Sequence, residues 1–530
     1  MRTRTRMMPT DTVEPAVTDG AAAEAPVSNR RSFLAMGAAA AGLAVAKSAT
    51  ASAQTIRNTD PRTKKPGAAG GLGLPVDSTV NWVDPVLRLA RRITTGLTAG
   101  EVTAARKIGF SAYLNSQLSP AALDDSAVDA FIATKLPLLS MPYATLVMQD
   151  SGEVSNQLMD AALYRAAFSK RQLQERMIDF WTDHFTISLN KVGIRKAIDD
   201  RDVIRPLALG KFPDLLRATS KSPAMLVYLD QNLSKYPIPN QNYAREVMEL
   251  HTLGVNGGYT QTDVAELSRI LTGWSVSGAN FTFTRNNHDR GQAGNKVFLG
   301  RTFPPMPSTA TAAEMQKEGE DAIDMLVAHP STANYIALKM ARWLLAYDPP
   351  KAVVDATAAV YLSTGGDIPS MIRTILTPTN LMASVGKYRR PFHFAAASLR
   401  ALGASVTNIR SIRGTADAMG MPSFQWEQPN GYPDRIDWWS GLVLMRWKFA
   451  STLSTQTSAT TTNVDLTPFK ALGNTAENVM KVINSQIFGG EIAPGLNTQL
   501  LAYLKTGTFN DARIREGLAL AISAQQFQWY

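Results

Sequence analysis

The chain has 530 residues, 45% of them hydrophobic and 18% charged, and contains no cysteine. It is too apolar for disorder, and the missing thiols exclude disulfides, iron–sulfur clusters, thiolate zinc sites and cysteine nucleophiles together. A net charge of +10 over this length is a mild basic bias; it carries no nucleic-acid footprint, and no nucleic-acid partner is expected.

Residues 29–34 read Asn-Arg-Arg-Ser-Phe-Leu, and a weakly apolar Ala/Gly run follows from Ala35 to Ala46. Lys47 and then Ala51-Ser52-Ala53 close the segment. Paired arginines, a weak apolar stretch, a basic residue and an A-x-A site together form a twin-arginine signal, with cleavage expected after Ala53. The apolar run is about 12 residues, against roughly 20 for a membrane span, and no later stretch is long enough either. The expected organisation is a signal over 1–53, a flexible Gly/Pro/Lys/Thr linker over 54–77 and a helical domain over 78–530. The mature protein is then periplasmic or extracellular, exported already folded.

From Val80 the apolar spacing is helical: Pro85 to Leu97, Ala99 to Leu118, and Gln157 to Phe185 over several turns. Breaks follow at Ser188–Asn190, Pro237–Asn240 and Gly254–Gly258. Thr260 and Asp263 resemble a capping box, with Tyr259 placed to staple onto Val264. Residues 280–300 differ: Phe281 and Phe283 alternate with Thr282 and Thr284, and Lys296–Gly300 follows a polar loop, the pattern of a small β-hairpin excursion. Helices resume at Thr311–Ala328, Thr332–Ala346, Pro350–Ser363, Met371–Leu376 and Pro391–Leu402. A Ser/Thr-rich loop covers 452–467. The expected fold is mainly α, as one large multi-helical domain or two packed lobes.

With five histidines and no cysteine, the imidazoles are the economical place to look for chemistry. At 100° per residue, Asn242, Arg245, Glu246 and Glu249 share one face of a helix ending at Gly254, while Tyr243, Val247, Leu250 and His251 take another. Glu246 and Glu249, at i and i+3, have the spacing of an acid/base pair or of two ligands to a divalent metal. The plainer reading is a solvated face on which Arg245 balances Glu249, with His251 a hydrogen-bonded core residue. In Met177–Phe185, Asp179 and Asp183 share a face at i and i+4, while His184 lies on the apolar side. His288 and Asp289 sit in a polar loop, suited to ligation or to an acid/base with its orienter. His329 and His393 are read as structural. Aromatics around Trp426, Tyr432, Trp438 and Trp439 are read as core, with sugar stacking as the alternative. No G-x-S-x-G, H-E-x-x-H, Walker or dinucleotide fingerprint is present.

Several longer motifs then coincide. Phe180-Trp-Thr-Asp-His-Phe185, Arg205-Pro-Leu-Ala-Leu-Gly-Lys-Phe212 and Lys221-Ser-Pro-Ala-Met-Leu-Val-Tyr-Leu-Asp230 come first. Asn242-Tyr-Ala-Arg-Glu-Val-Met-Glu-Leu-His-Thr-Leu-Gly254 and Gly257-Gly-Tyr-Thr-Gln-Thr-Asp-Val264 follow. Leu271-Thr-Gly-Trp274, His288-Asp289 and Gly431-Tyr-Pro-Asp434 complete the set. Over nearly all of the mature chain this resembles the domain-of-unknown-function family 1800, whose members are often exported by bacteria. Two departures stand out: Gln241 where the family usually has Glu, and His393 where a Glu is expected.

The resemblance implies an exported envelope protein whose members are frequently encoded beside a second exported family, number 1501, so a protein of that family is an expected partner. It also concentrates attention on Glu246, Glu249, His251, His184, His288 and Asp289. The leading expectation is a hydrolase, with Glu246, Glu249, His251, His184 and Arg245 as catalytic candidates. The metal alternative has His184, His251, His288 and Asp289 holding a divalent ion. The rival is a non-catalytic partner or scaffold for a co-exported protein or for envelope polysaccharide.

Overall fold

A computed structural model describes residues 82–530; the proposed signal and linker, residues 1–77, lie outside the described residues. The described residues fall within one compact unit and are mainly helical, with three two-stranded antiparallel sheets.

Helix starts follow local chemistry. Asp84 accepts from the amides of Val86 and Leu87 to open Pro85–Ile93, where Pro85 occupies the first turn without wasting a donor. Thr260 and Asp263 form the expected reciprocal capping box at the start of Gln261–Ile270. The helical run over 157–185 is divided into Ser151–Phe168 and Gln172–His184. The side chain of Gln172 folds back onto the carbonyls of Ala166 and Ser169, satisfying groups that the break frees. Ser169 donates to Asp125 at 2.6 Å. Such a break depends on a tertiary partner, and apolar spacing does not record it.

The β excursion is two hairpins rather than one. Trp274–Ser277 pairs with Asn280–Phe283, and Lys296–Phe298 pairs with Arg301–Phe303. The turns at Gly278 and at Leu299-Gly300 take positive φ, which closes each hairpin inside the apolar run. A third pair, Ser405–Val406 with Thr462–Asn463, ties down the Ser/Thr-rich loop.

Two large apolar cores fill the unit. One gathers Trp181, Phe185, Phe212, Trp274 and Trp343; the other gathers Phe394, Phe449, Phe469 and Phe527. Helix Pro391–Ala401 joins them: Phe394 and Leu399 fill the second core, while His393 and the preceding Arg390 reach helix Gln172–His184 at the edge of the first. Residues 528–530 add an extended segment against 387–389, with Lys387 and Tyr530 exchanging both backbone hydrogen bonds at 2.9 Å.

Candidate acid-base site

Helix Gln172–His184 presents a polar stripe of Glu175, Asp179 and Asp183, one turn apart in sequence, opposite buried Met177, Phe180, Trp181 and His184. The acids meet the seam helix. Arg390 donates to Asp183 Oδ2 at 2.5 Å and to Asp179 Oδ2 at 2.8 Å. His393 Nε2 lies 2.7 Å from the same Asp179 oxygen, and one Arg176 guanidinium nitrogen stands 3.0 Å from Nε2 and 3.1 Å from Nδ1, so the ring is held between an acid and a cation. Burial holds the His393 imidazole well below its ordinary pKa, and the Arg176 charge adds to that. Against the burial that would raise it, Asp179 is kept below the carboxylate range by Arg390 and His393. Asp183 moves the other way: burial lifts it, the Asp179 charge adds to the lift, and Arg390 only partly opposes it.

The loop Gly431-Tyr-Pro-Asp434 closes over this helix end. Gly431 has φ +77, and a Cβ there would lie 2.4 Å from the Asp183 carbonyl oxygen, so only glycine lets the loop approach. The Tyr432 amide then faces Asp183 Oδ1 at 3.4 Å, and Asp434 accepts from Lys387 at 2.5 Å. The cleft between them, lined by Glu175, Asp179, Thr182, Asp183, Arg205 and Tyr432, has a cavity volume of about 50 Å³. That is room for a few waters, not for a substrate.

Glu246 and Glu249 stand differently. Helix Asn242–Glu246 does not continue regularly. It widens over Val247–Thr252 so that the Leu253 amide donates to the Met248 carbonyl five residues back, at 2.8 Å. Such wide turns gather at functional sites. Here the turn buries His251, Val247 and Met248 and leaves both glutamates half-buried at the surface. Burial and the neighbouring Glu249 charge push the Glu246 carboxyl up to about 7, which Arg245 only partly offsets. Around them stand the phenols of Tyr228, Tyr259 and Tyr335, all raised by burial and then by these glutamates, Tyr259 and Tyr335 to about 12. Gly254, at φ +78, closes the turn against the Tyr335 ring, which a Cβ would meet at 2.7 Å. One turn along from Tyr335, Lys339 is lowered to about 8 by burial and Arg342, against the pull of Asp183. It stands on helix Pro330–Leu344, and its charge adds to the burial that lowers His184 and His251.

The histidines of the metal hypothesis do not converge. His184 and His251 do meet, with ring centroids 6.1 Å apart and His184 Nε2 donating to the His251 carbonyl at 3.1 Å. His184 lies among Phe185, Trp181 and Phe212, His251 lies against Phe185, and burial holds both neutral, His251 at about 3. His288 and Asp289 belong to another cluster. His288 donates from Nδ1 to the Thr272 carbonyl at 2.8 Å and lies 3.0 Å from Glu318. Asp289 takes Arg269 at 2.7 Å and the Gly291 amide at 2.8 Å, and Glu318 takes Lys296 at 2.5 Å. The proposed joint centre of His184, His251, His288 and Asp289 is therefore corrected: among the described residues no group of three or more His, Asp or Glu is placed to hold a metal ion. The physical reason is that His288 and Asp289 are already committed to the side chains that pin the hairpins.

Sequence reasoning missed Arg390, Lys339 and the place of His393. The i, i+4 pair Asp179 and Asp183 was the one available signal, since two acids on a helix face bordering an apolar stripe call for a cation. Gln241, the departure from the usual Glu, lies at the helix start and accepts from Gln261 at 2.9 Å, on the surface.

Fold and site together define a large helical protein with a half-open set of carboxylates, a lysine and tyrosines at the edge of one of its cores. Residues 88–529 match the family described as protein of unknown function, DUF1800, and the chain belongs to that family. No curated protein and no solved structure matches it. Among the described residues no helix is long and apolar enough to cross a membrane.

Proposed function

We propose that the chain is a hydrolase of the cell envelope working by acid–base catalysis at Glu246 and Glu249. The observation that carries the reading is a carboxyl that keeps its proton up to about pH 7, half-buried beside a second carboxylate on the same turn. In the reaction Glu249 takes a proton from the attacking water as its oxygen bonds the electrophilic centre. Glu246 delivers its proton to the leaving oxygen or nitrogen as that bond breaks. Arg245, whose charge already partly offsets the lift on Glu246, supplies positive charge for developing negative charge. The paired His184 and His251, buried and neutral, hold the wide turn against the aromatic core.

Envelope fractions of the native host, incubated with the full chain and analysed by mass spectrometry, test this. Released fragments are expected with the wild type, and at least a hundredfold fewer with Glu246→Gln or Glu249→Gln. The rate is expected to fall above about pH 7 as Glu246 loses its proton. Equal release from Glu246→Gln and wild type removes the proposal.

Export by the twin-arginine route is part of the same reading, supported by Arg30-Arg31, the weak apolar run and Ala51-Ser52-Ala53. Replacing both arginines by lysine is expected to leave uncleaved precursor in the cytoplasm. The family resemblance supports a co-exported partner of family 1501, for which capture from the native periplasm is the test.

A further inference from the structure

The cleft beside Asp183 has charges left over once its ion pairs are drawn. Arg205 holds both oxygens of Glu175, and Arg390 holds Asp179 and Asp183. Two lining side chains of opposite sign remain, Arg165 from helix Ser151–Phe168 and Asp200. They are near enough to feel one another's charge, but among the described residues neither makes a side-chain hydrogen bond or an ion pair. Asp200 is only 4% exposed and Arg165 is half-buried. The Thr182 hydroxyl on the same wall is buried and unpaired as well. Charges this far out of water need something to answer them.

The backbone brings Asp200 here by an irregular route. It opens a wide turn, Asp200–Ile204, in which the Arg205 amide donates to the Asp200 carbonyl five residues back. On a regular helix residues five apart stand about 140° from one another. The wider winding lets Asp200 and Arg205 line one cleft, and such turns gather at functional sites.

Size and charge together narrow the ligand. A volume of about 50 Å³ takes roughly four waters, whose share of the liquid is on the order of 120 Å³. That suits a molecule of about five or six heavy atoms and no oligomer. A single ion would answer one of the two charges and leave the other. A small zwitterion answers both: a guanidinium grips a carboxylate through two N–H donors, and a carboxylate accepts from an ammonium. Ala162, Ala166 and Ile178 add a short apolar wall with room for a hydrogen or a methyl group.

We infer that Arg165 and Asp200 bind a small α-amino acid, glycine or alanine, as its zwitterion, carboxylate on Arg165 and ammonium on Asp200. Glu246 does not line this cleft, so the site stands apart from the hydrolase reading. The full chain is titrated calorimetrically at pH 7 with glycine, L-alanine and D-alanine, and with acetate and methylammonium as the two halves. Saturable binding of at least one amino acid, with Kd below about 1 mM, is expected, and each half should bind at least about tenfold more weakly. Arg165→Gln and Asp200→Asn are each expected to weaken binding at least about tenfold. Both variants should unfold no earlier than the wild type without ligand, since each removes a charge that has no protein partner, and neither should gain thermal stability from the amino acid as the wild type does. Absence of saturable binding for all three amino acids overturns the inference, leaving a cleft that holds water. Acetate or methylammonium bound as tightly as the amino acid overturns it too, because one charge would then suffice. Binding unchanged in both variants places the ligand elsewhere, and earlier unfolding of Asp200→Asn shows that its charge was paired; either result removes the site.

Discussion

Two regions of this molecule have nearly the same ingredients. Around His288, the residues Arg269, Asp289, Lys296 and Glu318 give acids, bases and an imidazole; on the turn that carries Glu246, the residues Arg245, Glu249 and His251 give the same classes, with His251 turned into the core. In the first, Lys296 is fully buried and held by Glu318, and the Asp289 carboxylate accepts from Arg269 and the Gly291 amide while its own backbone N–H donates to the Thr272 hydroxyl. That cluster is a lock for the hairpins. In the second, the glutamates are half-buried, and burial first and the Glu249 charge second hold the proton on Glu246 up to about 7. The difference lies in commitment: a titratable group already spent on a buried partner stabilises, and one held near neutrality without such a partner is available for chemistry.

The largest effect that breaks or sharpens this comparison is expected at Glu318. Glu318→Ala leaves the buried Lys296 ammonium without its carboxylate and should cost about 3–5 kcal/mol in urea unfolding. A loss below about 1 kcal/mol would show that the lock is not one.

The opposite sign is expected at Glu246. Its folded pKa of about 7 lies above its unfolded value near 4.5, so between those limits the native state binds more protons. Stability from this group is therefore present below about pH 4.5 and lost as pH rises through 7. Glu246→Gln should then stabilise the protein at pH 8 by on the order of 2 kcal/mol, after allowance for its partial exposure, and do little at pH 4. Unfolding curves at the two pH values check this. A destabilised Glu246→Gln at pH 8 would mean that the glutamate is paired after all. Stabilisation together with lost turnover is what a site that trades stability for activity gives.

The smallest change tests a residue whose role is wholly local. Thr260→Ala removes the capping oxygen of Gln261–Ile270 and should cost about 1 kcal/mol at any pH between 5 and 9, with turnover untouched. Differential scanning calorimetry reads it.

What the sequence made legible follows the same division. The capping box at Thr260 and Asp263, the shared face of Glu246 and Glu249 and the apolar setting of His184 are set by neighbours within one or two turns, and each is found as read. The break at Ser169 and the seating of His393 depend on partners far along the chain: Asp179 is 214 residues from His393, and Arg390 is 207 from Asp183. No local spacing encodes those meetings. His288 and Asp289 misled for the same reason in reverse, because a polar loop displays ligands only when no buried cation or carboxylate has claimed them.

The wide turn at Val247–Thr252 holds one residue more than a regular helix uses for the same rise. Inserting a single codon in this stretch adds a second extra residue, beyond the one that the wide turn absorbs, and swings the end of the helix by about 100°. His251 would leave its aromatic niche, and the Tyr335 ring would lose the bend it lies against. A length change of one, ordinarily trivial in a loop, is therefore expected to be far more damaging here than most point substitutions.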